Sequence, residues 1–127
     1  MTGKILVVDD DPTHLMYTQE ILEADGHDVV VHRTGFGVSV KFWKEKPDLV
    51  LLDVNMPGLS GENVCFLLER WLADRKTPVL LYSSNDEESL RKTAQKLGTA
   101  GYVMKGDPTQ LRSSVRRALD ARARLSD

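Results

Sequence analysis

The chain has 127 residues, 41% of them hydrophobic and 28% charged. That is one domain's worth of chain with enough apolar content for a core, which excludes a disordered tail or a fibrous repeat. Seventeen basic side chains against nineteen acidic ones leave a net charge of −2, which excludes whole-chain electrostatic binding of nucleic acid. The single cysteine, Cys65, excludes an internal disulfide and suits a reducing compartment. Only four apolar residues, Ile5 to Val8, separate Lys4 from Asp9. That run is too short for a signal-peptide core or a membrane span, so a cytoplasmic protein with no membrane partner is expected.

Taken in order, Ile5-Leu6-Val7-Val8 predicts a first strand, because a continuous aliphatic run suits a strand buried on both faces. Asp11 followed by Pro12 marks the start of a first helix, a capping acid with proline at the first helical position. It runs to about Asp25, where Gly26 stops it. The mixed segment His27 to His32 reads as an edge strand. Gly35 to Lys46 predicts only a weak second helix, since two glycines and several β-branched or aromatic residues lower its propensity. Leu49 to Leu52, Val79 to Tyr82 and Tyr102 to Met104 are three further strands. Between and after them, three stripes at helical spacing predict helices: Val64, Leu67, Leu68, Trp71, Leu72; then Leu90, Ala94, Leu97; then Leu111, Val115, Ala118, Leu119. The pattern is β-α five times. Parallel strands joined by right-handed crossovers make a three-layer, doubly wound α/β domain over 1–127, its core about 4–119 and a basic C-terminal helix to about 124.

In such a sheet the working site lies at the carboxyl ends of the strands. Asp9 and Asp10 end strand one, Asp53 ends strand three, Ser83 and Ser84 end strand four, and Lys105 ends strand five. Any one of these could simply terminate a strand or cap a helix. Acid, acid, hydroxyl and ammonium on four strands are harder to explain that way. Three gathered carboxylates repel, by up to ~4 kcal/mol per pair at ~4 Å and an effective dielectric near 20. A hard divalent cation relieves them, and Mg²⁺ (or Mn²⁺) takes its remaining ligands from water and phosphate oxygens. The cluster therefore reads as a Mg²⁺-phosphoryl site, with Asp53 the candidate acceptor because a carboxylate can be a covalent nucleophile. Asp9 and Asp10 are better placed to hold metal. Asp11 more simply caps the helix that follows.

These residues resemble a known family, the receiver domain of bacterial two-component response regulators, over about Lys4 to Leu119. The motifs are Ile5-Leu6-Val7-Val8-Asp9-Asp10, Leu51-Leu52-Asp53-Val54-Asn55-Met56-Pro57-Gly58-Leu59-Ser60-Gly61, the Ser83-Ser84 pair and Gly101-Tyr102-Val103-Met104-Lys105. The resemblance implies a five-stranded parallel sheet of flavodoxin-like order 2-1-3-4-5. It implies that Asp53 accepts a phosphoryl group from a histidine kinase or a phosphotransferase phosphohistidine. Asp10 and Asp53 would ligate Mg²⁺ by their carboxylates, Asp9 directly or through water, and Asn55 by its backbone carbonyl. Lys105 would pair with the phosphoryl group. Ser83 would move toward it, and the Tyr102 ring would turn inward behind Ser83. The output surface implied is the fourth helix, fifth strand and fifth helix, for a downstream protein or a homodimer, without direct nucleic-acid contact.

One departure is visible: Lys105 is followed by Gly106, where the family usually has proline. It is the only support for an alternative, a pseudo-receiver that works as a protein-interaction module without phosphate. A third possibility is a turnover phosphatase of the haloacid-dehalogenase type. Such enzymes place an acid two residues after the nucleophile, and Asn55 stands there, which cannot serve as a general acid. A self-phosphorylating switch rather than an enzyme acting on an external substrate is therefore expected. Elsewhere, Cys65, Trp43 and Trp71 are expected to serve packing, and His14 to be a surface residue. The five arginines at 112, 116, 117, 122 and 124 form either a solvated face or a docking surface.

Overall fold

A computed structural model of the chain describes residues 2–55, 63, 69, 73, 75–84 and 86–125. Five parallel strands form one sheet in the order β2-β1-β3-β4-β5. They are β1 (Lys4–Val8), β2 (Asp28–His32), β3 (Leu49–Asp53), β4 (Val79–Ser83) and β5 (Gly101–Met104). The helices described around them are α1 (Pro12–Ala24), α2 (Val38–Glu45), α3 (Glu87–Leu97) and α4 (Pro108–Leu125). The third predicted helix lies over a stripe outside the described residues, although Asn63, Glu69, Ala73 and Arg75 carry helical backbone. α3 and α4 are therefore the fourth and fifth helices of the sequence pattern.

The aliphatic runs became strands because both sheet faces are covered. Every residue of β3 and β4 is buried. Ile5, Val7, Leu49, Leu51, Leu80 and Val103 face the layer that holds Leu15, Leu22, Leu111, Val115 and Leu119 of α1 and α4. Leu6, Val8, Val50, Leu52 and Leu81 face Val38, Phe42, Leu90 and Ala94 of α2 and α3. Two-residue alternation along each strand thus feeds two cores at once. β2 is an edge strand, as its mixed composition predicts, and β5 forms the other edge.

Local chemistry sets the helix ends. Asp11 accepts hydrogen bonds from the Thr13 and His14 N–H groups at 3.0 and 3.3 Å, satisfying donors that the first turn leaves open. α2 is short because Gly37 enters it in the left-handed region, φ +74°, with no side-chain cap. Trp43 is 62% exposed, which corrects the expectation that it would share in the core. It sits on the side of α2 opposite Val38 and Phe42, which fill the packing face at 0% exposure.

The C-terminal arginines are partly spent within the fold. Arg112 grips Asp25 with two parallel bonds, Nε to Oδ2 at 2.9 Å and Nη2 to Oδ1 at 2.8 Å, pinning α4 to the end of α1. Arg122 Nη1 donates to Asp48 Oδ1 at 2.9 Å, just before β3. The Arg112 hydrogen bond holds the Asp25 carboxyl below its ordinary value of 3.8. A carboxyl depressed by folding contributes stability that is complete above its unfolded pKa and lost as pH falls through its folded one. Arg112→Ala should therefore lower the melting temperature at neutral pH, and the gap from the parent should close as the pH falls below about 3.8. Thermal melts across that range check it; a gap that stays constant with pH would show that the pair contributes nothing electrostatic.

Candidate functional site

Strand register builds the site. Val8 pairs with Leu52 across β1 and β3, so Asp9, the next residue, emerges beside Asp53. Asp53 pairs with Tyr82, and Ser83 follows it. Ser83 in turn pairs with Met104, and Lys105 follows that. Parallel strands in register deliver the side chains just past their ends to one edge. Asp9, Asp53 and Ser83 are buried, at 0%, 4% and 1% exposure.

The contacts are close. Lys105 Nζ lies 2.8 Å from Asp9 Oδ2 and 3.6 Å from Asp53 Oδ2. Asp9 Oδ1 accepts from the Asp11 N–H at 3.1 Å, and Asp53 Oδ1 accepts from the Asn55 N–H at 3.0 Å. Asn55 Nδ2 donates to Ser83 Oγ at 3.0 Å, a tie between β3 and β4 that the sequence motif alone does not show. Asp9, Asp10 and Asp53 each offer one carboxylate oxygen, and these lie within 4.8 Å of one another. Tyr102 is turned outward: its hydroxyl donates to Glu87 Oε1 at 3.2 Å.

Charge is unevenly settled. Burial raises the Asp53 carboxyl, the Asn55 N–H and Lys105 offset this in part, and the Asp9 charge adds to it, so it sits above 3.8. Burial also acts on Asp9, but the Lys105 bond, the Asp11 N–H and the Lys105 charge outweigh it, and the group sits below 3.8. Three carboxylates thus face one ammonium, and Asp53 carries the unrelieved part. The donors are all hard oxygens. A small divalent cation of the Mg²⁺ kind suits that set and that charge.

The peptide after Lys105 is trans, with Gly106 at φ +104°, a region that favours glycine. The chain turns there without proline and still brings Lys105 onto both carboxylates. His14 departs from expectation. It is not simply a surface residue: its side chain is 18% exposed and its Nδ1 lies 3.1 Å from Asp9 Oδ2. A carboxylate only accepts, so Nδ1 carries the proton. In the neutral ring Nε2 then accepts from the Tyr82 hydroxyl, 3.4 Å away, and Thr18 Oγ1 stands 3.1 Å from that hydroxyl. Burial pushes the Tyr82 hydroxyl up to about 12, so it remains a donor at neutral pH. The signal for this chain was in the sequence, since His14 and Thr18 stand one turn apart on α1. Their partner on β4 was not, because no local pattern relates residue 14 to residue 82. The motif residues Met56 to Gly61, and Cys65, lie outside the described residues.

A doubly wound sheet with an acidic pocket and a lysine at its carboxyl edge defines a class of phosphoryl-handling α/β domains. Residues 5–116 match the family model described as the response regulator receiver domain. The chain belongs to that family. It is 35% identical over 122 residues to the alkaline phosphatase synthesis transcriptional regulatory protein PhoP of Bacillus subtilis, covering 94% of this chain and 49% of that one. The chain thus spans about half the length of that relative. It is 32% identical to Protein PilH of Pseudomonas aeruginosa, covering 81% of this chain and 85% of that one. Among solved structures, the signal receiver domain of a histidine kinase from Syntrophus aciditrophicus superposes with a TM-score of 0.81 at 28% identity, over 94% of this chain and 91% of that one. The chemotaxis response regulator CheY4 of Vibrio cholerae gives 0.82 at 23% identity, over 93% and 99%, a likeness of fold. Receiver domains are phosphorylation-based signalling switches that bind Mg²⁺ in an acidic pocket and work with histidine kinases and downstream effectors. No helix among the described residues is long and apolar enough to cross a membrane.

Proposed function

We propose that this chain is a single receiver domain whose Asp53 accepts a phosphoryl group and thereby switches a protein-binding surface. The observation that carries it is the pocket itself: Asp9, Asp10 and Asp53 within 4.8 Å, and Lys105 on two of them. An Asp53 carboxylate oxygen attacks the phosphorus of a phosphohistidine. The O–P bond forms as the P–N bond to the donor imidazole breaks. Asp9, Asp10, Asp53 and the Asn55 backbone carbonyl would hold Mg²⁺, which when bound neutralises charge on the phosphoryl oxygens. Lys105 passes from the carboxylates to a phosphoryl oxygen. Ser83, already held by Asn55 Nδ2, offers its hydroxyl proton to another.

The readout follows from the same pair of strands. Ser83 drawn toward the phosphoryl group opens the space behind it, and the Tyr102 ring leaves Glu87 to fill that space. This rearranges the surface of α3, β5 and α4, on which we place the downstream protein or a second copy. The domain acts in the cytoplasm, charged by a histidine kinase or a phosphotransferase, with no turnover of an external substrate. Gly106 was the one feature favouring a pseudo-receiver, yet Lys105 reaches both carboxylates despite it. Incubation with acetyl phosphate and Mg²⁺, read by intact mass, should add one phosphoryl group. A chelator should abolish the gain, and no gain with Mg²⁺ present would overturn the reading.

His14 holds Asp9 from behind, and removal of such a carboxylate partner typically costs about 10-fold or more in metal affinity or activity. His14→Leu should weaken Mg²⁺ binding by about that factor, followed by titration of amide shifts at residues 9, 10 and 53. Unchanged affinity would show that Asp9 is positioned by Lys105 and the Asp11 N–H alone.

A further inference from the structure

Two donors meet on one oxygen of Asp9. Lys105 Nζ lies 2.8 Å from Oδ2, and His14 Nδ1 lies 3.1 Å from the same atom. The Asp11 N–H takes the other oxygen, Oδ1. The two donors on Oδ2 are not equivalent. Lys105 also reaches Asp53 Oδ2, at 3.6 Å, and passes to a phosphoryl oxygen in the proposed transfer. His14 stands behind Asp9 and stays, so it is the side chain that keeps Oδ2 aimed after Lys105 has moved. Carboxylate ligands of a metal are held in this way by a hydrogen-bonding partner on their far side.

A histidine ring with one proton can be wired here in two ways. In the first, Nδ1–H donates to Asp9 Oδ2 and Nε2 accepts from the Tyr82 hydroxyl, 3.4 Å away. In the second, Nε2–H donates to the Tyr82 oxygen and Nδ1 accepts from Thr18 Oγ1, 3.5 Å away. The second wiring sets the Nδ1 lone pair against a carboxylate oxygen at 3.1 Å, two acceptors face to face. The first satisfies every group in the chain. The Thr18 hydroxyl donates to the Tyr82 oxygen at 3.1 Å, which leaves the Tyr82 proton for Nε2. Thr18 and Tyr82 are 0% and 1% exposed, so neither hydroxyl has bulk water as another partner. The nitrogen that carries a histidine's proton is set by the bond that the other nitrogen makes.

We propose that Tyr82 is a positioning residue of the Mg²⁺–phosphoryl site: its buried hydroxyl holds His14 in the Nδ1–H form, and that form keeps Asp9 aimed at the metal. The proposal rests on the reading of the pocket as a Mg²⁺ site. Tyr82 touches neither metal nor phosphoryl group and acts through His14. Its ring already packs, with its centre 5.0 Å from that of His14 and 5.5 Å from Lys105 Nζ. Phenylalanine would supply those contacts equally well. The hydroxyl is the part that packing does not require, since a buried hydroxyl must find partners merely to offset its own desolvation.

The test uses the full chain labelled with ¹⁵N. Long-range ¹H–¹⁵N spectra without metal, at about pH 8 where free histidine is neutral, should show the His14 proton on Nδ1. In Tyr82→Phe the two ring nitrogen shifts should draw together as the other form gains population. The same variant should bind Mg²⁺ about 3-fold to 10-fold more weakly, followed by amide shifts at residues 9, 10 and 53. Its phosphoryl uptake from acetyl phosphate should lag the parent at limiting Mg²⁺ and match it at saturating Mg²⁺. Two further variants leave Tyr82 in place. His14→Asn keeps an N–H at the δ position and should bind Mg²⁺ within about 3-fold of the parent. His14→Gln moves the N–H to the ε position and should lose about 10-fold or more. The proposal is overturned if the parent ring carries its proton on Nε2 or on both nitrogens, or if His14→Asn and His14→Gln bind Mg²⁺ alike. It is equally overturned if Tyr82→Phe keeps both the parent's ring form and its Mg²⁺ affinity, or if its uptake deficit persists at saturating Mg²⁺. The reading of the pocket fails by a different sign, the absence of Mg²⁺ shifts in the parent itself, and takes this proposal with it.

Discussion

Asp53→Asn is expected to take up no phosphoryl group from acetyl phosphate at any Mg²⁺ concentration, while remaining folded. The amide keeps the shape of the carboxylate and can still accept from the Asn55 N–H, which lies 3.0 Å from Asp53 Oδ1. It lacks the anionic oxygen that attacks phosphorus. The same change should leave stability at neutral pH equal or higher in the absence of metal, and this separates chemistry from folding. Burial and the Asp9 charge raise the Asp53 pKa in the folded chain. For a raised carboxyl, folding gains nothing and loses nothing below the unfolded pKa, where both states are protonated. The penalty grows as pH climbs from that value through the folded one and is complete above it. Asn carries no such penalty. Paired melts and intact mass check both halves; phosphoryl uptake by the variant would move the acceptor to another residue, and a large drop in melting temperature would make its inactivity uninformative about chemistry.

The second large effect concerns the core beneath the site. Leu51→Ala should destabilise the domain by about 2–5 kcal/mol, the usual range for emptying a leucine-sized volume in a packed interior. Total stability of a domain is about 5–15 kcal/mol, so a large share would go. Leu51 is 0% exposed in the middle of β3, between Val7 of β1 and Leu80 of β4 in register. Five-stranded sheets with a central strand covered on both faces have little room to collapse around a gap. Urea midpoints report the change. Val40→Ala, 70% exposed on α2, should stay within about 0.5 kcal/mol of the parent. If the two variants behaved alike, the core assigned to β3 would be wrong.

Much of the site was legible in the linear chain because its residues follow strands whose type the sequence announces. The aliphatic runs ending in Asp9, Asp53 and Ser83 could hardly be anything but strands buried on both faces. Once they are parallel and in register, their final residues must meet at one edge. Asp11 before Pro12 was readable as a cap for a similar reason: capping is a contact between neighbours in sequence. The turn after Lys105 was not readable, since glycine in place of proline leaves the backbone there free to take several shapes. Gly106 takes a positive φ of +104° there, and Lys105 still reaches both carboxylates.

Trp43 and His14 were misjudged in opposite directions, each for want of a distant partner. An aromatic residue in a weak helix is ordinarily core, yet Val38 and Phe42 occupy the packing face first and leave Trp43 outside. A histidine near a helix start is ordinarily at the surface, yet α1 lies against the edge where Asp9 emerges and Tyr82 stands across the sheet. Arg112 and Arg122 looked like one basic face until the fold brought Asp25 and Asp48 against them.

Sequence alone determined the elements whose cause is local: periodicity, capping and the acids, hydroxyl and lysine at the strand ends. Only the tertiary structure decided which of two helix faces is buried, which carboxylate Lys105 grips more closely, and which side chains stand behind Asp9. Those choices depend on residues tens of positions apart in the chain, and packing, not propensity, brings them together.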